Sequence, residues 1–129
     1  MVNSRRKGKR GELEVAKEIR DVLGIEARRG VQYRGTPDSP DIVTDTNIHF
    51  EVKYSQRVNL LAAFSQAESD AGNKIPIVVW RRNRTPWFIL LKLQDIPRFV
   101  AELIRSNPSL IASIRDSEQQ EGGDGQKGD

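Results

Sequence analysis

Apolar positions recur at helical spacing over residues 11–23 and at strand spacing further on, and that change of period lays out the chain. On a helical wheel centred on Glu12, Ala16, Ile19 and Leu23 fall within about 40°, with Val15 and Val22 on the flank. Glu14, Lys17, Glu18 and Asp21 take the opposite, wet face. Gly24 suits the residue just past a helix end. "IEARR" predicts a short strand, and the stretch 30–40, with "RGTPDSPD", is rich in turn formers. "DIVT" and "NIHFEVKY" predict two strands forming a hairpin around a turn at 45–47. Asn59 suits the N-cap of a helix "LLAAFSQAESDA", stopped near Gly72 and Asn73. "IPIVVW" predicts a buried strand, "RRNRT" a basic turn and "WFILLKL" an antiparallel partner. Asp95 is placed to cap a last helix running to about Arg105, and residues 108–115 add a short helical turn.

The order is helix, three strands, helix, two strands, helix. It predicts an α/β fold with one mixed sheet of about five strands flanked by helices. Residues 1–115 are expected to form a single domain opened by a basic flexible arm over 1–8. The tail 116–129, built of Gly, Gln and charge, has nothing to bury and is expected to be disordered.

Composition narrows the chemistry. With no Cys there is neither a disulfide framework nor a thiolate metal site, which points to a reducing cytoplasm and excludes thiol enzymes. His49 is the sole histidine, so any metal is expected to be held by oxygen ligands. No apolar run approaches the roughly 20 residues that cross a bilayer. The net charge is +3, but the tail from Asp116 holds five acids and one lysine, which leaves 20 basic and 13 acidic residues before it. That surplus leans towards a polyanionic partner.

The candidate chemistry begins in "HFEVKY". Ile48, Phe50 and Val52 alternate with His49, Glu51 and Lys53, which puts an acid and a lysine on one face of an otherwise apolar strand. By itself the pair is weak: nine Glu and seven Lys over this length give about half of one Glu-x-Lys by chance. Asp41 adds weight, because two carboxylates converging at a strand edge repel unless a cation lies between them, and Mg²⁺ suits such oxygen ligands. Glu12, centred in an apolar stripe, either joins that site or reaches from the first helical turn to solvent. Lys53, two residues past Glu51, could orient or deprotonate a water and offset charge on a phosphoryl group. Of the two Pro-Asp pairs in "TPDSPD", Asp41 leads into the strand whereas Asp38 lies in a turn, so Asp41 is chosen. His49 is assigned to polar packing rather than base catalysis, and Trp80 and Trp87 to packing.

Four short motifs, "GKRGE" (8–12), "SPDIV" (39–43), "EVK" (51–53) and "SQAE" (65–68), together resemble the PD-(D/E)xK nuclease superfamily, most closely its archaeal-type and phage Holliday junction resolvase branch. The resemblance spans residues 7–95 and implies a restriction-endonuclease-like core. It implies a metal, Mg²⁺ or alternatively Mn²⁺, on Asp41, Glu51 and the carbonyl of Val52, with Glu12 joining directly or through water. It also implies Lys53 as the catalytic lysine and Gln66 as an assisting polar group, although Gln66 could equally cap a neighbouring backbone group.

The function expected is metal-dependent endonucleolytic cleavage of branched DNA, a Holliday junction above all, by a homodimer. The alternatives are a restriction, repair or nicking nuclease on linear or single-stranded DNA, and a non-catalytic DNA-binding module. Arg5, Arg6, Lys7, Lys9 and Arg10 form one basic cluster and "RRNRTPW" another, each also explicable as solvated charge; Arg28, Arg29, Tyr33 and Arg34 are further candidate DNA contacts.

Overall fold

The computed structural model describes residues 4–30 and 41–127, with side chains described within 8–30 and 41–120. Tyr33, Arg34 and Asp38, and the side chains of Arg5, Arg6 and Lys7, lie outside the described residues.

Helix α1 (Ser4–Glu18) runs into a π-helical turn, Ile19–Leu23. Gly24 closes it with φ 66°, donating its N–H to the Arg20 carbonyl at 3.1 Å, as its position after the apolar stripe predicts. The described part, 4–8, of the arm expected to be flexible is helical, since arginine and lysine are good helix formers. Val15, Ala16 and Ile19 are its buried stripe.

Five strands form, but in two sheets. β1 (Ala27–Arg29) pairs antiparallel with β2 (Ile42–Thr44). β3 (Ile48–Tyr54) pairs parallel with β4 (Ile75–Arg81), and β5 (Phe88–Leu90) lies antiparallel on β4, giving a mixed three-stranded sheet. The expected single five-stranded sheet, and with it the β2–β3 hairpin, is therefore corrected. The reason lies at the free edge of β3, where the Val52 N–H is taken at 2.9 Å by the side chain of Asp41 instead of a neighbouring strand's carbonyl.

Helix α2 (Leu60–Ala71) forms the crossover between β3 and β4, and Asn59 caps it by accepting the Ala62 N–H at 3.0 Å. After β5 come a 3₁₀ turn (Leu93–Asp95) and α3 (Ile96–Ser106). Asp95 occupies the N-cap position without making a capping hydrogen bond; its carboxylate lies 3.6 Å from Arg98, and Pro97 starts the helix. Helix α4 (Leu110–Lys127) replaces both the short helical turn at 108–115 and the described part of the tail expected to be disordered. Arg, Glu, Gln and Lys carry good helix propensity, and its residues 111–120 stay exposed.

The β3–β4–β5 sheet is covered differently on its two faces. On the α1 side Ile48 and Phe50 of β3 and Ile75, Ile77 and Val79 of β4 pack with Val15, Ala16 and Ile19. On the α2 side Val78 packs with Ala63, Phe64 and Ala67. β4, buried on both faces, reads as a continuous apolar run for that reason. β3 is apolar only towards α1, and its α2-facing residues are His49, Glu51 and Lys53.

Candidate active site

Glu51 is the hub. It is 9% exposed in the middle of β3, and the first effect of burial is to raise its pKa. Neighbouring His49, the hydrogen bond shared with Asp41 and the charge of Lys53 outweigh burial and hold it below the usual glutamate range. Asp41 moves the other way, to about 7. Burial is the main cause, reinforced by the hydrogen bond to Glu51 and by the charges of Glu51 and Glu12, and only the Val52 N–H opposes them. The two carboxyls thus meet at the mouth of β2 and the edge of β3 with opposite proton affinities, Asp41 raised and Glu51 lowered.

Glu12 approaches from α1; its charge is felt by Asp41, and it feels that of Glu51. Its carboxylate is engaged by Arg29 Nε at 2.7 Å, with its side chain 14% exposed. Burial raises its pKa, Arg29 partly offsets this, and Glu51 adds to it. Glu12 is thus held by Arg29 rather than directed out to solvent. Arg29, expected as a DNA contact, turns inward to this carboxylate; Arg28 on the same strand is exposed.

The residues fit a divalent cation by the chemistry of their donors. Glu51 raises the proton affinity of both Asp41 and Glu12, and Glu12 adds to that of Asp41, the signature of carboxylates gathered without enough positive charge. A strand residue's N–H and C=O point to the same side, so the Val52 carbonyl also faces Asp41, as the expected ligand set requires.

A second group lies behind this one. His49 Nε2 is 3.7 Å from Glu51 Oε1, too long for a hydrogen bond, and is buried without a partner among the described residues. Leaving such an atom unsatisfied costs about 1–3 kcal/mol. The ligand atoms of His49, Glu51 and Asp70 all lie within 4.8 Å of one another. Gln66 Nε2 donates to both carboxylate oxygens of Asp70 at 3.0 Å, so Gln66 reaches the site through Asp70. Sequence reasoning missed Asp70 and set His49 aside as packing. The signal for Asp70 was its position four residues after Gln66, one helical turn along the same face.

The basic clusters are partly engaged. Lys9 and Arg10 are exposed, and Arg10 lies over the Tyr54 ring at 5.7 Å. Arg81 sits over Tyr54 and Trp87 and pairs with Glu14 at 3.0 Å, so Glu14 is not idle on a wet face. Arg82 and Arg84 are exposed beside it.

No curated protein and no solved structure matches the chain. Among family models, the one described as phage putative PDDEXK endonuclease matches residues 3–123. With that match spanning nearly the whole chain, and with Asp41, Glu51 and Lys53 drawn together by the β3 edge, the chain belongs to the phage PDDEXK endonuclease family.

Proposed function

We propose that this chain is a divalent-cation-dependent endodeoxyribonuclease that hydrolyses phosphodiester bonds in branched DNA. The observation that supports it most is the Asp41–Glu51 pair: buried Glu51 in β3 beside Asp41, which is braced on the Val52 N–H at the same strand edge, with Lys53 on the face of Glu51. The four-way junction as substrate, and a homodimer as the acting unit, rest on the resemblance in the motifs at 8–12, 39–43, 51–53 and 65–68.

Asp41, Glu51 and the Val52 carbonyl would hold Mg²⁺ or Mn²⁺, with Glu12 in reach through water. The ion, when bound, supplies an acidified water and positive charge for the phosphate. Lys53 orients the attacking water, accepts or passes its proton, and offsets charge as it builds on the phosphoryl oxygens. In-line attack forms the new P–O bond while the P–O3′ bond breaks, leaving a 5′ phosphate. Glu12, held by Arg29, keeps negative charge beside the pocket. Lys9, Arg10, Arg28, Arg82 and Arg84 offer exposed cations for the DNA backbone, and binding should weaken steeply with salt.

The test incubates purified protein with a synthetic four-way junction and with linear duplex of the same sequence, with Mg²⁺ or EDTA. The expected result is Mg²⁺-dependent incision of the junction in symmetric strands, lost in Lys53→Ala. No incision of either DNA with Mg²⁺ or Mn²⁺ overturns the enzyme; equal cutting of both overturns the junction preference alone. Sedimentation of the protein at micromolar concentration should show a twofold dimer.

A further inference from the structure

We infer that His49, Glu51 and Asp70 form a second divalent-cation site, distinct from the Asp41 pocket but sharing Glu51 with it, and that it takes a first-row transition ion such as Zn²⁺ or Co²⁺ in preference to Mg²⁺. Three observations converge. The ligand atoms of the three residues lie within 4.8 Å of one another, and His49 Nε2 and Glu51 Oε1 are 3.7 Å apart, against the roughly 3.4 Å between donors around a tetrahedral ion with bonds near 2.1 Å. The His49 side chain is only 10% exposed, and its Nε2, buried without a hydrogen-bond partner among the described residues, faces the Glu51 carboxylate. Gln66 donates to both oxygens of Asp70, the kind of outer contact that fixes a ligand's orientation.

The donor set decides the ion. Imidazole suits Zn²⁺, Co²⁺ and Ni²⁺, whereas Mg²⁺ prefers an all-oxygen, octahedral shell. Two carboxylates and one imidazole leave coordination positions for water. Asp70 is at the exposed end of α2 and His49 is buried beneath it, so an ion would enter from the solvent side of the helix and close over the imidazole.

His49 is the sole histidine, so in untagged protein the imidazole ring gives a single set of NMR signals and reports its own ligation. The experiment titrates Zn²⁺ into metal-free protein without DNA, following the ring C–H resonances and, in parallel, binding heat. One equivalent of Zn²⁺ should move the ring resonances, and millimolar Mg²⁺ should not reverse the change. Asp70→Asn, on an exposed helix position that leaves folding intact, should weaken Zn²⁺ at least tenfold, while Asp41→Asn should leave the ring response in place. Ring resonances that ignore stoichiometric Zn²⁺ overturn the proposal, as does an unchanged Zn²⁺ affinity in Asp70→Asn. Because no DNA is present, an inactive nuclease would leave this result standing, and an active one would not rescue it.

Discussion

Glu102 and Glu51 are buried almost equally, 8% and 9% exposed, one on α3 against the start of β3 and the other in the middle of that strand, yet they are opposite kinds of site. Glu102, on α3, accepts the Asn47 N–H at 2.8 Å just before β3 begins and pairs with Arg105. Asp41 does the matching job further along, accepting the Val52 N–H at 2.9 Å, but its near neighbour is Glu51 rather than an arginine. Arg105's hydrogen bond, with the Asn47 N–H behind it, holds Glu102 below the usual carboxylate range. Burial and Glu51 together push Asp41 up to about 7. Burial is therefore not what marks a functional acid. On the proposed reading the mark is a backbone brace completed by a second carboxylate, a crowding of negative charge that an added cation would relieve.

The largest test of that contrast is chemical. Glu51→Gln should lower Mg²⁺-dependent cleavage by roughly a thousandfold or more, because it removes the carboxylate shared by the whole site. Glu102→Gln should leave cleavage per folded molecule unchanged. Rates normalised to folded fraction decide it, and a Glu51→Gln enzyme retaining a tenth of wild-type activity would remove Glu51 from the chemistry.

The next test is thermodynamic, and its sign is specific. In the folded chain Asp41 keeps its proton up to about pH 7, whereas an unfolded aspartate releases it near 3.8. The stabilising effect of that proton is full below 3.8 and is lost as pH rises through about 7. Asp41→Asn retains an oxygen for the Val52 N–H and removes the charge, so in EDTA at pH 8 its Tm should exceed wild type by about 2–6 °C per kcal/mol relieved. The gap should shrink at pH 5. Saturating Mg²⁺ should reverse the order by stabilising wild type alone. Equal Tm differences at both pH values in EDTA would contradict the strained pair.

Glu102 should behave as the mirror image, on a smaller scale. Its lowered pKa contributes stability that is present above about 4.5 and is lost as pH falls through its folded value. Glu102→Gln should cost about 1–2 kcal/mol near pH 7, from a hydrogen bond to a charged group made weaker, and less at pH 3. Chemical denaturation at the two pH values measures it.

How much of this was legible in the sequence follows from which interactions are local. The alternation in "HFEVKY" located Glu51 and Lys53 on one face because strand periodicity is local, and the Asn59 cap was legible for the same reason. The β2–β3 hairpin was not, because a side chain, Asp41, replaced the ladder hydrogen bond that would have made one sheet. Glu12 was identified as buried, but not its partner: Arg29 is 17 residues away and meets it only once α1 packs on β1. His49 and Asp70 lie on different elements, and their meeting depends on how α2 crosses over β3. The basic tip at 81–87 was legible as charge, whereas the stacking of Arg81 on Tyr54 and Trp87 was not, since the Tyr54 ring comes from the end of β3 and Trp87 meets Arg81 only across the turn.

Glu14 supplies the smallest and sharpest contrast. It is an acid one position pair from Glu12, it has an arginine partner as Glu102 does, and it lies outside the carboxylate cluster. Its ion pair with Arg81 is about a third exposed, which places its worth at roughly 0.5 kcal/mol after screening by solvent. Glu14→Ala should therefore lower stability by about that amount and release Arg81 from one of its contacts, while the Arg82 carbonyl and the Tyr54 and Trp87 rings keep the guanidinium in place. Cleavage should be unaltered within about twofold, since no carboxylate of the pocket feels its charge. A cleavage defect in Glu14→Ala larger than that of Glu12→Ala would place the functional acid of α1 on the wrong residue, and the paired-against-clustered distinction would fail with it.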